Sequence, residues 1–138
     1  MSISYANVVP AGDDVRNLYN SVGWSAYTND LPSLMSGLEN STRVVTAWDD
    51  EQLVGLARVI SDRATIAYLQ DILVDPEYQR RGVGRELLHQ ALEPFNVRQT
   101  VLLTDAEPGQ RAFYESVGFT EVRDVEPDGL RAFVLLAS

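Results

Sequence analysis

Apolar residues recur along this chain with two periods, and the switches between them mark its elements. Ile3 to Val9 is an extended stretch closed by Pro10-Ala11-Gly12. Val15, Leu18, Tyr19 and Val22 follow at helical spacing, with Asp13 or Asp14 placed to cap them and Gly23 to stop them. Leu31, Leu34, Met35 and Leu38 repeat that spacing and predict a second short helix. From Arg43 the period shortens. Arg43–Trp48 and Gln52–Ile60 read as a hairpin around Asp49-Asp50-Glu51, and Thr65–Val74 as a long, mostly apolar strand. A helix is predicted from Arg81 or Gly82 to Ala91 or Phe95, a strand over Gln99–Thr104 and a helix over Pro108–Val117. Phe119–Val125 and Arg131–Leu136 make a final hairpin. Strands alternating with helices, with hairpins at either end, predict a mixed α/β sheet of about six or seven strands and about four helices.

Composition narrows what such a sheet can serve. The chain has 138 residues, 45% of them apolar, with no repeat or linker to divide it, so residues 1–138 are expected to form one domain. Cysteine is absent and histidine occurs once, which excludes disulfides and cysteine nucleophiles and predicts no metal site. No apolar run approaches the roughly 20 residues of a membrane span, and Met1-Ser2-Ile3-Ser4-Tyr5 has neither a charged start nor an apolar core of a secretion signal. A soluble, cytoplasmic protein with no membrane partner is expected. The net charge of −9 has the wrong sign for binding nucleic acid.

Against that acidic background, Arg80, Arg81 and Arg85 fall within six residues. They belong to the run Leu73-Val-Asp-Pro-Glu-Tyr-Gln-Arg-Arg-Gly-Val-Gly-Arg-Glu-Leu-Leu88, in which an apolar strand ends at a proline and two glycines open an amphipathic helix. Gly82 and Gly84 have no side chain to hold a ligand off the backbone, and the first helical turn leaves its N–H donors unpaired at the positive end of the dipole. This is a cradle for a small polyphosphate. It is not a P-loop, which requires Gly-Lys-Ser/Thr, nor a dinucleotide fingerprint, which requires a small residue where Leu87 stands.

Gln79-Arg80-Arg81-Gly82-Val83-Gly84 resembles the Gln/Arg-x-x-Gly-x-Gly/Ala signature of the GNAT superfamily of acyl-coenzyme A-dependent N-acetyltransferases. Phe113-Tyr114-Glu115-Ser116-Val117-Gly118-Phe119 resembles its second signature, Phe/Leu-Tyr-x-x-x-Gly-Phe, and the likeness in element order covers nearly the whole chain. The resemblance implies a single-domain GNAT-like fold whose two central strands, here Thr65–Val74 and Gln99–Thr104, splay at a bulge to admit the pantetheine arm of acetyl-coenzyme A. By the same resemblance, Ile72, Leu73 and Val74 supply backbone contacts to that arm. Gln79, Arg80, Arg81, Gly82, Val83, Gly84 and Arg85 hold the pyrophosphate, and Phe113 lies beside the cofactor.

The implied reaction is direct acetyl transfer to a primary amine, a small molecule first and a protein lysine or N-terminus as the alternative. A primary amine with pKa about 10.4 loses its proton at pH 7 at a cost of about 4–5 kcal/mol. The departing thiolate also gains from a donor. Tyr114 matches the family's tyrosine acid. Where some relatives read Leu-Glu-Asp before the cradle, this chain reads Leu69-Gln70-Asp71, and Gln70 cannot take a proton. Asp71 is then the nearest carboxylate, acting as base directly or through water, or serving as a hydrogen-bonding residue at a bulge that re-aims it. Glu107 stands where many relatives carry asparagine and is placed to cap the helix ahead of Pro108. Trp24 and Tyr27, on an expected loop, are candidates either to stack on the acceptor or to staple helices to the sheet, and Tyr19 and Phe133 are weaker ones. His89 reads as a solvated helix residue. Oligomeric state stays open between a homodimer through Leu130–Leu136 and a monomer that caps that strand. The departures at Gln70 and Glu107 keep a non-catalytic acyl-coenzyme A sensor as a third reading.

Overall fold

The computed structural model describes residues 2–137. They form two compact units that divide between Leu103 and Thr104. The first holds β1 (Ile3–Ala6), α1 (Gly12–Ser21), α2 (Ser25–Thr28), α3 (Leu31–Glu39), β2 (Arg43–Asp49), β3 (Gln52–Ser61), β4 (Ile66–Val74), α4 (Val83–Leu92) and β5 (Gln99–Leu102). The strands form one mixed sheet in chain order, antiparallel from β1 to β4 and parallel between β4 and β5. The parallel step is the one that α4 bridges, as a crossover between parallel strands requires.

Both faces of the sheet are covered. Val15, Leu18 and Tyr19 of α1 and Leu34 and Leu38 of α3 pack on Val44, Leu53, Leu56 and Leu73. Leu56 is therefore turned toward α1 and α3, and its neighbour Gly55 faces α4 on the other side, where Val83 and Leu87 approach it. Such two-sided burial explains why β3 reads as a near-continuous apolar run, without the alternation of a half-exposed strand. Asp30 caps α3 by accepting from the Ser33 N–H. By contrast, α1 begins at Gly12, one residue before the expected caps, and Asp13 and Asp14 lie in its first turn opposite the dipole.

The second unit holds α5 (Pro108–Ser116) and a 3-10 turn at Val122–Asp124. Here the expectation of a final hairpin is corrected. Arg111 of α5 lies 2.9 Å from Glu115 and 2.8 Å from Asp124, and also pairs with Glu121, which draws the charged run 121–124 into a turn. Val125 and Val122 then accept hydrogen bonds from Gly129 and Leu130 N–H groups. Arg131–Leu136 has strand-like composition but forms no strand among the described residues, and Phe133, Leu135 and Leu136 are exposed. Residue preference alone does not make a strand; cross-strand contacts do. Among the described residues the sheet therefore has five strands where six or seven were expected. Among the described residues, no helix is long and apolar enough to cross a membrane.

A Cβ on Gly55 would stand 2.8 Å from Leu87 Cδ1 and 3.3 Å from Val83 Cγ1, and both side chains are buried with no room to retreat. Gly55→Ala is expected to lower stability by about 1–3 kcal/mol in urea unfolding. An unchanged midpoint would mean that α4 does not sit this closely on the sheet.

Candidate active site

The end of β4 builds the cradle from local rules. Asp75 accepts the Glu77 N–H and caps a 3-10 turn at Pro76–Tyr78, and Gln79 Nε2 donates back to the Val74 carbonyl at 3.0 Å. The chain then passes through left-handed backbone at Arg80 (φ 64°) and Gly82 (φ 83°). That conformation turns successive N–H groups toward one concavity. No side chain caps α4, and its first backbone hydrogen bond is Glu86 N–H to Gly82 O. The N–H groups of Val83 and Gly84 thus precede the first intrahelical bond, at the positive end of the helix. Around them the Arg81 guanidinium lies 5.7 Å from the Tyr78 ring centroid, and the Tyr78 hydroxyl donates to Asp49 at 2.7 Å.

Upstream of the cradle, β4 parts from β5. The two pair only from Ile66 opposite Gln99 to Leu69 opposite Leu102. The other edge of β4 stays paired to β3 as far as Val74 opposite Gly55. Gln70 to Val74, Ile72 and Leu73 included, therefore carry an edge with no strand partner among the described residues. The expected bulge lies where the parting begins. Arg58 pairs with Asp71 and Val59 with Leu69, so Gln70 is the extra residue. Simple alternation would place Leu69, Asp71 and Leu73 on one face; the bulge sends Leu69 to the opposite face from Asp71.

Re-aimed in this way, Asp71 enters a buried polar network. Its Oδ2 accepts from Arg58 Nε at 2.6 Å and from the Tyr19 hydroxyl at 2.9 Å, and its Oδ1 accepts from the Tyr27 hydroxyl at 2.9 Å. The Asp71 and Arg58 side chains are only 2% and 9% exposed, which excludes water as an alternative partner for most of these groups. Burial, then the Asp71 charge, raises the pKa of both tyrosines. Burial pulls Arg58 downward, but the Asp71 carboxylate outweighs it and the net shift is upward. All three partners therefore keep their protons at neutral pH and present donors to Asp71. The guanidinium has space because α3 carries Gly37, where a Cβ would stand 2.9 Å from Arg58 Nη1.

Trp24 and Tyr27 do not share a loop: Tyr27 belongs to α2 and Trp24 precedes it. Both are half-buried, and they pack with Tyr19 at ring distances of 5.3–6.1 Å. Tyr19 is fully buried and Phe133 is exposed. In the second unit, Tyr114 is buried and its ring contacts Phe113 and Phe119 edge-on at 5.1 and 5.8 Å. Burial, and secondarily the Asp105 charge, pushes its phenol up to about 12. Glu107 caps α5 by accepting the Gly109 N–H at 3.0 Å, ahead of Pro108. His89 is exposed.

Arg58 is the residue that sequence reasoning passed over. The signal was present: one arginine inside the apolar run Leu56-Ala57-Arg58-Val59-Ile60 must find a countercharge if the strand is buried.

The family model for the acetyltransferase (GNAT) domain matches residues 19–134, a single match that runs through both units. The chain belongs to the GNAT family. It is 32% identical over 125 residues to an uncharacterized N-acetyltransferase, ycf52-like, of Prochlorococcus marinus, covering 86% of this chain and 65% of that protein. It is 37% identical over 81 residues to the [ribosomal protein bS18]-alanine N-acetyltransferase of Salmonella typhimurium, covering 56% of this chain and 53% of that one. A GNAT-family acetyltransferase of Streptococcus pneumoniae has a solved structure that superposes with a TM-score of 0.81 at 30% identity, covering 96% of this chain and 98% of the other.

Removing one partner of a buried ion pair leaves the other charge uncompensated. Arg58→Met is expected to lose about 3–5 kcal/mol of stability, and Arg58→Met with Asp71→Leu to recover part of that loss. Urea unfolding of both variants checks this. If the double variant is no more stable than Arg58→Met, the cost does not come from a stranded carboxylate.

Proposed function

We propose that this chain transfers an acetyl group from acetyl-coenzyme A directly to a primary amine, with a small molecule as the acceptor. The observation that carries the reading is continuity: the unpaired edge of Gln70–Val74 runs straight into the left-handed cradle and the open N-terminus of α4. An extended arm with amide groups fits a strand edge, and a pyrophosphate fits the N–H concavity that follows. Acetyl-coenzyme A supplies the acetyl group as a thioester.

The chain's own residues divide the remaining work. Backbone groups of Ile72, Leu73 and Val74 orient the arm. Gly82, Val83, Gly84 and Arg85 offer N–H groups to the pyrophosphate, while Arg80, Arg81 and Arg85 supply positive charge, and Phe113 flanks the cofactor. Gln79 steadies the entry to the cradle through its bond to Val74. Tyr114 holds a proton for the departing thiolate. For Asp71 the three donors it accepts support the orienting role over that of base. Trp24 and Tyr27 present ring surface to the acceptor. A second reading, a protein N-terminus as acceptor, is favoured by the alanine N-acetyltransferase among the relatives. The exposed apolar residues of 130–136 support a homodimer.

The test is a thermal shift with acetyl-coenzyme A, followed by thiol release with spermidine, glucosamine, amino acids, and peptides bearing an N-terminal alanine or a lysine. Stabilisation with turnover of a small amine is expected. Turnover of the peptides alone moves the acceptor to protein. Stabilisation without turnover of any of them favours the sensor, and no stabilisation refutes the cradle.

Tyr114→Phe is expected to keep the thermal shift and lower kcat by about 10²–10⁴-fold. Its phenol, pushed up to about 12, stays protonated as pH rises, so wild-type kcat should show no loss from this group between pH 7 and 10. A basic limb in that range that disappears in Tyr114→Phe would contradict the placement of its pKa.

A further inference from the structure

The network around Asp71 has a direction, and that direction reaches the outermost group. Asp71 is paired with an arginine and accepts from every partner it touches. A carboxylate has no proton to give, so the Tyr27 hydroxyl spends its only proton on Asp71 Oδ1. What remains on the Tyr27 oxygen is lone pairs, which can face only a donor. Gln70 meets that oxygen at 2.9 Å, and it does so with Nε2. The opposite amide orientation would set Oε1 against a tyrosine oxygen that has no proton left for it. The orientation of this amide is thus dictated by the ion pair two bonds away.

The other end of the same amide is the consequence. Gln70 Oε1 takes part in no hydrogen bond among the described residues, and none of their buried side-chain oxygens or nitrogens lacks a partner, so Oε1 reaches open space. Gln70 is half-buried and is the extra residue of the bulge, at the point where β4 loses β5 as a neighbour. Tyr27 lies against it, and the Trp24 ring packs on Tyr27. We infer that Gln70 Oε1 is the hydrogen-bond acceptor that holds the attacking amine, oriented through Tyr27 by the Asp71–Arg58 pair, and that it takes no proton from that amine. This rests on the reading of the chain as an acetyltransferase with its donor along the open edge of β4.

An amide oxygen accepts an N–H from an amine or an ammonium ion and distinguishes both from an ether, a hydroxyl without its proton or an apolar group. Because it is not basic, the proton of an ammonium ion must leave to solvent before the nitrogen attacks. The rate then follows the free-amine fraction, which rises about tenfold per pH unit below the amine's pKa.

The probe is n-butylamine, the smallest acceptor that carries the amine with a short apolar stem, assayed by thiol release at saturating acetyl-coenzyme A from pH 6.5 to 9. Wild type should show kcat/KM rising about tenfold per pH unit. Gln70→Leu should raise the KM for butylamine about tenfold with kcat within threefold, roughly the value of one hydrogen bond. Tyr27→Phe, a change at the positioning residue, should raise KM by a smaller factor. Gln70→Glu should flatten the pH profile, because a carboxylate can bind the ammonium ion and receive its proton. An unchanged KM in Gln70→Leu, or a flat wild-type profile, overturns the inference.

A second measurement needs no turnover. The Gln70 side-chain N–H signals, identified in a ¹H–¹⁵N spectrum by their absence in Gln70→Leu, should shift and exchange faster in Tyr27→Phe. They should also move when butylammonium is added. Signals indifferent to Tyr27→Phe would refute the orientation. A thermal shift with acetyl-coenzyme A, measured on every variant, separates the two failures: if it persists while these effects are missing, only the role of Gln70 falls.

Discussion

Arg58 and Asp71 lie 2.6 Å apart between the sheet and the helices that cover it, and neither could be buried there without the other. An isolated charge in that position would be far too costly to keep, so the pair constrains everything near it. It brings β3 and β4 into a register that leaves Gln70 over as a bulge. It requires a glycine at position 37, because a larger residue on α3 would occupy the space of the guanidinium. It also recruits the hydroxyls of Tyr19 and Tyr27, which tie α1 and α2 to the sheet through polar atoms, while Val15 and Leu18 of α1 add apolar contacts.

The bulge divides β4 into two segments with different tasks. From Ile66 to Leu69 the strand is paired on both edges and belongs to the scaffold. From Gln70 to Val74 its strand pairing among the described residues is with β3 on one edge, leaving the outer edge without a strand. A strand edge is ordinarily a hazard, since it can pair with any passing chain. Here the exposed edge is short and ends at a proline turn, and the cradle begins within five residues of it. The geometry that makes the edge available is the same geometry that places the proposed anion site at its end.

The turn that joins β4 to α4 was legible because its signals are local: a glycine where the backbone turns left-handed, arginines beside the helix start, and a proline to stop the strand. Apart from the short helix α2, which was expected to be loop, the element order of the first 103 residues was legible for a similar reason, since periodicity follows from which faces are buried. The bulge near Asp71 followed from the family resemblance, and the cap at Glu107 was readable from its position ahead of Pro108. The pairing of Asp71 with Arg58 was not, because it joins residues 13 apart in sequence across a register shift that no spacing rule encodes. Tyr27 was singled out for its ring, yet its hydroxyl is what connects it to the sheet. The C-terminal run Arg131–Leu136 misled for the opposite reason: its composition favours a strand, but whether it pairs depends on a neighbour that the run itself does not specify.

The central claim is that the open edge of β4 and the cradle after it form one continuous site for the acyl donor. A crystal structure of the chain with coenzyme A tests this most directly. The account predicts the pantetheine arm alongside Ile72, Leu73 and Val74, and the pyrophosphate within hydrogen-bonding distance of N–H groups between Gly82 and Arg85. Coenzyme A bound away from β4, or a pyrophosphate that leaves those N–H groups untouched, would contradict it.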